Sequence, residues 1–296
     1  MRGKRLLAVS VAVLLVVALA AALFIPKESG KGGEGSEIIV VVTIPPQAEF
    51  VKRVGGEKVA VITMVPQWAN PHTYEPTPAQ LMNVSKAKMY VKMGSGIEFE
   101  IAWMDKIKSI NENMLIVDCS KGIELLKEDG KADPHIWLSP KNAKIIVENI
   151  FKGFVQIDPA NSTYYEQNKE AYLRELDALD KEISQILSKT SKTSAHKFIV
   201  YHPAWSYFAR DFGLEQISIE EGGKEPTPER IASIIEEAKR NNITKIFASP
   251  QFKDKAEVIA KEIGGEVVEI NPLAENYIEN MRKFAEELAE KGENER

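Results

Sequence analysis

Three of the four histidines in this 296-residue chain stand in the same kind of place. His72 lies in Pro71-His72-Thr73-Tyr74-Glu75-Pro76-Thr77-Pro78 and His135 in Asp133-Pro134-His135-Ile136-Trp137-Leu138-Ser139-Pro140, while His202 opens His202-Pro203-Ala204-Trp205. Each sits beside proline, which fixes its own φ and biases the residue before it away from helix. Thr77-Pro78 and Ser139-Pro140 pair an N-cap with proline at the first helical position, so a helix starts just after each of the first two histidines. His202 closes an apolar strand. In open α/β sheets, turns at the carboxyl ends of strands are where ligands bind. Three neutral imidazoles meeting at a cleft suit Zn²⁺, which takes histidine nitrogens at ~2.0–2.1 Å in tetrahedral geometry. Magnesium and calcium would call for more carboxylates. His196 is set aside: six residues before His202 at ~3.3 Å each place it roughly 20 Å away, as a surface or structural histidine.

The elements that must carry these turns alternate along the chain. Ile38 to Thr43 is a continuous β-branched run, the pattern of a strand buried on both faces of a parallel sheet. Val59 to Met64, Met89 to Met93 and Met114 to Val117 are further strands, with helices at Gln47 to Val54, Pro78 to Lys86 and Ile97 to Ile110. A second series has strands at Phe198 to Tyr201, Lys245 to Ala248 and Glu266 to Ile270. Its helices are Ala204 to Phe212, Pro228 to Arg240, Lys253 to Ile263 and Glu275 to Lys291. The alternation implies parallel sheets covered by helices. Between the series, Thr163 to Lys189 lacks proline and glycine and repeats apolar residues at helical spacing, from Tyr165 through Tyr172, Leu176, Leu179 and Ile183 to Ile186. Thr163 and Glu166 form a capping-box pattern at its start. It reads as a stiff helix of roughly 40 Å at ~1.5 Å per residue. The expected fold is α/β, with two parallel-sheet lobes joined by one long rigid helix and a metal site in the cleft between them. The expected division is 1–36, 37–160 (first lobe), 161–190 (bridging helix) and 191–296 (second lobe).

The first 36 residues stand apart. Arg2, Lys4 and Arg5 precede Leu6 to Ile25, a 20-residue stretch without charge, long enough to span a bilayer. Lys27 to Ser36 then reads as a flexible Gly/Ser linker. No cysteine follows the apolar run, so a lipid-modified cysteine is excluded. An uncleaved anchor with the rest of the chain exported is the preferred reading, and cleavage near Ala18 to Ala22 the alternative. This segment holds five of the 38 basic and two of the 43 acidic side chains, so the remainder carries 33 against 41, a net charge of −8. Nucleic acid is not an expected partner. Cys119 is the single cysteine, which removes intramolecular disulfides and thiolate metal sites. Asn83, Asn161 and Asn242 begin N-x-S/T sequons.

The chain resembles the substrate-binding receptors of zinc and manganese ABC importers, most closely the high-affinity zinc-uptake receptors. The stretches that carry the likeness are PHTYEPTP at 71–78, MGSGIEFEIAWMDKI at 93–107, DPHIWLSPKNA at 133–143, DPANSTYYEQNKEAYLRELDALDKEI at 158–183, HPAWSYFARDFGL at 202–214 and INPLAENYIENMR at 270–282. The resemblance implies a monomeric receptor that captures an ion outside the membrane and hands it to an ABC permease with its ATPase. It implies ligands at His72, His135 and His202, the third position being histidine in zinc receptors and often glutamate in manganese receptors. The cargo implied is Zn²⁺, with Mn²⁺ the alternative. At the fourth position many relatives have Asp before Pro-Leu, whereas this chain has Asn271. Asn271 is the candidate for the fourth place, since its amide oxygen can still approach a metal but brings no charge. A fourth ligand from water or a nearby carboxylate (Glu75 being nearest in sequence), or reduced affinity, is then expected. The His-rich acidic loop of some zinc receptors is absent, since residues 119–132 contain no histidine.

Two rival classes stand beside the receptor. A His₃ zinc with water in the fourth place is the layout of zinc hydrolases, but no HExxH motif and no clear general base accompanies it, so an enzyme is not expected. An adhesin holding zinc for stability alone is the other. Trp137 and Trp205, within three residues of His135 and His202, read as core packing, with a dry layer that orients the imidazoles as the alternative. Glu220 to Gly223 reads as a turn, and ligation by Glu221 is not expected.

Overall fold

The computed structural model describes residues 37–128, 130–188, 197–221 and 224–290. The apolar span 6–25, the linker 27–36 and His196 lie outside the described residues. Among the described residues no helix is long and apolar enough to cross a membrane.

The first sheet is built from β1 (Ile38–Val42), β2 (Val59–Thr63), β3 (Met89–Lys92) and β4 (Leu115–Asp118), in the order β2-β1-β3-β4. All its pairings are parallel. Val40, Val41 and Val42 are fully buried, as expected for a central strand covered on both faces. Its crossovers are α1 (Pro45–Gly55), α2 (Pro78–Val84) and α3 (Glu98–Ile110). A two-strand hairpin, β5 (Lys127–Glu128) with β6 (Lys131–Ala132), then leads into α4 (Pro140–Ile157). The predicted caps hold: Thr77 Oγ1 accepts from Gln80 N and Ser139 Oγ from Asn142 N.

The second sheet repeats the plan with β7 (Lys197–Val200), β8 (Glu215–Ser218), β9 (Lys245–Ala248) and β10 (Glu266–Glu269), ordered β10-β9-β7-β8 and parallel throughout. Its helices are α6 (Ser206–Phe212), α7 (Pro228–Arg240), α8 (Lys253–Glu262) and α9 (Tyr277–Ala289). Strand β8 went unread in the sequence, because Glu215-Gln216-Ile217-Ser218 has one apolar residue in four. It is an edge strand, and only Ile217 is buried.

Between the sheets runs α5 (Ser162–Ser188), 27 residues long. Tyr165, Tyr172, Leu176, Leu179 and Ile183 form its buried stripe, which Ile186 extends half-buried. Its start differs from the expected capping box. Thr163 lies inside the helix, which continues from a 3₁₀ turn at Pro159–Asn161. Asp158 holds that junction instead, its Oδ2 accepting from Asn161 Nδ2 at 2.8 Å and Tyr165 OH at 2.6 Å. One hydrophobic core runs from β1 through α5 to Phe284 on α9, while a smaller core fills the far face of the second sheet.

Glu49 on α1 ties three elements at once. Its carboxylate accepts from Tyr172 OH on α5 at 2.9 Å and from Tyr277 N at the start of α9 at 2.5 Å. Glu49→Ala leaves both donors buried without a partner, at ~1–3 kcal/mol each. Denaturant unfolding should therefore show the variant less stable by ~2–6 kcal/mol, with metal stoichiometry unchanged. An unchanged unfolding midpoint would remove Glu49 from this role.

Candidate metal centre

The carboxyl ends of both sheets meet at one cavity of about 80 Å³. The chain leaving β2 brings His72, β7 brings His202, β8 brings Glu220 and β10 brings Asn271 to its wall. His135 arrives from the loop between β6 and α4, so strand ends and a helix start share the site. The convergence that parallel topology favours is therefore realised twice in one place.

The imidazoles are close. His135 Nε2 and His202 Nε2 are 3.3 Å apart, their ring centres 5.2 Å apart, and the ring centres of His72 and His202 are 5.5 Å apart. Two nitrogens at ~2.05 Å from a tetrahedral zinc would be ~3.3–3.4 Å apart, and their ring centres ~5.2 Å apart. The separations of the His135–His202 pair fit two ligands of one ion; among the described residues no three such side chains already stand around a single point.

What turns the rings is a carboxylate on each Nδ1. Glu98 Oε2 lies 2.8 Å from His72 Nδ1, Asp133 Oδ1 2.8 Å from His135 Nδ1, and Glu220 Oε2 2.6 Å from His202 Nδ1. A carboxylate only accepts, so each Nδ1 carries the proton and each neutral ring keeps its lone pair on Nε2. Two such lone pairs at 3.3 Å repel unless a cation lies between them. Burial holds the His202 pKa below the ordinary histidine value, which favours the neutral ring, although the Glu220 bond works the other way. The His72 pKa is raised, chiefly by its bond to Glu98. His72 is also the most open of the three, its side chain 30% exposed against 10% for His135 and 16% for His202.

Other residues fall out differently from the sequence reading. Asn271 lines the cavity, but its Oδ1 accepts from Leu273 N at 2.9 Å and its Nδ2 donates to Gln67 O at 3.3 Å. Its oxygen offers an ion at most a second lone pair. Glu75 is exposed and is not part of the cavity wall. In the acidic turn it is Glu220 that faces inward, while Glu221 pairs with Arg230 at the surface. The two tryptophans divide: Trp205 stacks on Phe284 at 3.8 Å in the core, whereas Trp137 lines the cavity. Trp137 packs its ring 5.3 Å from His135 and donates Nε1–H to Pro272 O. The three carboxylates were not assigned from sequence. Asp133, two residues before His135, was the one with a local signal; Glu98 and Glu220 lie 26 and 18 residues from their histidines and meet them only in the fold.

Residues 40–291 match the family model described as "Zinc-uptake complex component A periplasmic". The chain belongs to this family. It is 32% identical to the high-affinity zinc uptake system protein ZnuA of Bacillus subtilis, over 81% of this chain and 80% of that protein. It is also 30% identical to the manganese ABC transporter substrate-binding lipoprotein PsaA of Streptococcus anginosus, with 82% of each chain covered. A crystal structure of ZnuA superposes with a TM-score of 0.81 at 43% identity, covering 86% of this chain and 98% of that one. The family is that of the metal-binding receptors of ABC importers, and relatives named for zinc and for manganese both fall within reach of this sequence.

Proposed function

We propose that the protein is a zinc receptor: it captures Zn²⁺ outside the membrane through His72, His135 and His202 and delivers it to an ABC permease powered by its ATPase. The observation that carries this is the carboxylate on each of the three Nδ1 atoms, which leaves the Nε2 lone pair of each ring available to an ion. A set of three imidazoles favours zinc over the harder manganese, which prefers more oxygen ligands. The carboxylates stand one ring away from the ion. Across a ring, an ion on Nε2 lies ~6 Å from a group bonded to Nδ1, far beyond the ~2.0–2.2 Å of a zinc–oxygen bond. They therefore act as orienting groups and counter-charge, not as ligands. The fourth place falls to water or to the spare lone pair of Asn271.

The residue 6–25 span would hold the receptor at the outer face of the membrane, with the linker as tether, and a single copy suffices for capture.

Calorimetric titration of the chelator-stripped protein with zinc, and separately with manganese, tests the assignment. One zinc per chain, bound far more tightly than manganese, is the expected result. Equal or tighter manganese binding would reassign the cargo. Binding of neither ion would remove the receptor reading.

A further inference from the structure

The turn Met93-Gly94-Ser95-Gly96-Ile97, which joins β3 to α3, contributes no ligand, yet both ligand loops of the first sheet lean on this segment. Ser95 Oγ donates to Pro134 O, next to His135, at 2.5 Å. Glu98, the first residue of α3, holds His72 Nδ1 at 2.8 Å. Glu100, two residues further, rivets the turn to the sheet. It is 6% exposed and accepts from Met93 N at 2.6 Å, Gly94 N at 2.8 Å and Thr43 Oγ1 at 2.6 Å. Gly94 and Gly96 have φ of +79° and +105°, a backbone that residues with a Cβ adopt only under strain. At Gly94 a Cβ would also run into the Asp118 carboxylate.

The three histidines are not equally supported. His135 is fixed by its neighbour Asp133, which takes both its Nδ1–H and its backbone N–H, and Tyr207 OH in turn donates to Asp133 O. His202 follows directly from β7, and the backbone N–H of its partner Glu220 bonds to Tyr201 O. Both are therefore held close to a sheet or a core. His72 sits nine residues beyond the end of β2, its backbone N–H bonded to Asn70 Oδ1 and its ring to Glu98. Of the two, only Glu98 belongs to a helix.

We propose that Glu98 is the positioning residue of the centre: reaching from the first turn of α3, it aims His72 at the ion and so sets how long the ion stays. This rests on the three-histidine receptor reading. A carboxylate suits the place for a second reason, since the N-terminus of a 13-residue helix favours negative charge. The turn and the first residue of α3 thus place two ligand loops from one stretch of chain. His135 and His202 form a seat whose nitrogens already have the spacing of a bound ion, and the Glu98–His72 arm closes it.

The experiment compares the parent protein with Glu98→Ala, Glu98→Gln and His72→Ala, using zinc titration, zinc release into excess chelator, and the visible spectrum of the Co²⁺-loaded forms. Loss of an outer partner of a ligating histidine typically costs 10- to 100-fold in affinity. Glu98→Ala should lose zinc about that much faster, with a cobalt spectrum moved toward that of His72→Ala. Glu98→Gln, whose amide oxygen still accepts from Nδ1–H, should recover the parent spectrum and part of the affinity. Glu98 is half exposed, so folding of the variants is not at risk. Parent-like release and spectrum in Glu98→Ala, with His72→Ala impaired, would overturn the proposal and leave the receptor reading standing. A parent protein that takes up neither zinc nor cobalt would overturn both.

Discussion

His202→Ala should cost more zinc affinity than His72→Ala. Structural zinc sites are worth ~10–16 kcal/mol in all, so one ligand of four carries about 2.5–4 kcal/mol, or on the order of 10²–10³-fold in Kd. The imidazole is also the partner of Glu220, whose side chain is 8% exposed. Removing it leaves a buried carboxylate without its donor, a change that destabilises beyond the lost contact. The metal-free variant should thus unfold at lower denaturant than the parent as well as bind zinc poorly. His72→Ala should do less on both counts, because its partner Glu98 is half exposed and can be solvated. Titration calorimetry and urea unfolding on the two variants decide the matter. His202→Ala binding zinc like the parent would leave no three-histidine centre.

That ordering was only half legible in the sequence. Proline beside each histidine and the Thr77 and Ser139 caps marked the three turns, since their local chemistry is decided within a few residues. The parallel sheets and the long helix followed from runs such as Ile38–Val42 and from the Tyr165-to-Ile183 stripe, in which burial is written as periodicity. The carboxylates behind the rings could not be read in this way. Glu98 meets His72 because the loop after β2 folds against the start of α3, and Glu220 meets His202 because β8 lies beside β7. Both are consequences of sheet order, which a linear pattern does not contain. Lys169 shows the same limit in the opposite sense. It sits on the buried side of α5, where periodicity calls for an apolar residue, and is accommodated by Glu148, Glu170 and the ring of Phe151. The apolar spacing fitted around it, but the ion pairs that make it tolerable come partly from another helix.

Asn271→Asp should move the preference of the centre toward manganese. In the present chain the amide is occupied at both ends, by Leu273 N–H on its oxygen and by Gln67 O on its nitrogen. A carboxylate keeps the first bond and cannot make the second, because it has no proton to give to Gln67 O. Its freed oxygen, now charged, borders the cavity that His72, His135 and His202 share. A hard anionic oxygen suits Mn²⁺ better than a fourth neutral group does, while zinc, already served by three nitrogens, gains less. The ratio of manganese to zinc affinity should rise by about tenfold or more, equivalent to ~1.4 kcal/mol of relative preference. The native arrangement, in which Glu98, Asp133 and Glu220 supply negative charge from behind the rings and none at the fourth place, is then the one that favours nitrogen-loving ions. Competition titrations of the two ions on the variant and its parent give the ratio directly. An unchanged ratio would mean that residue 271 does not face the ion, and that discrimination resides in the imidazoles alone.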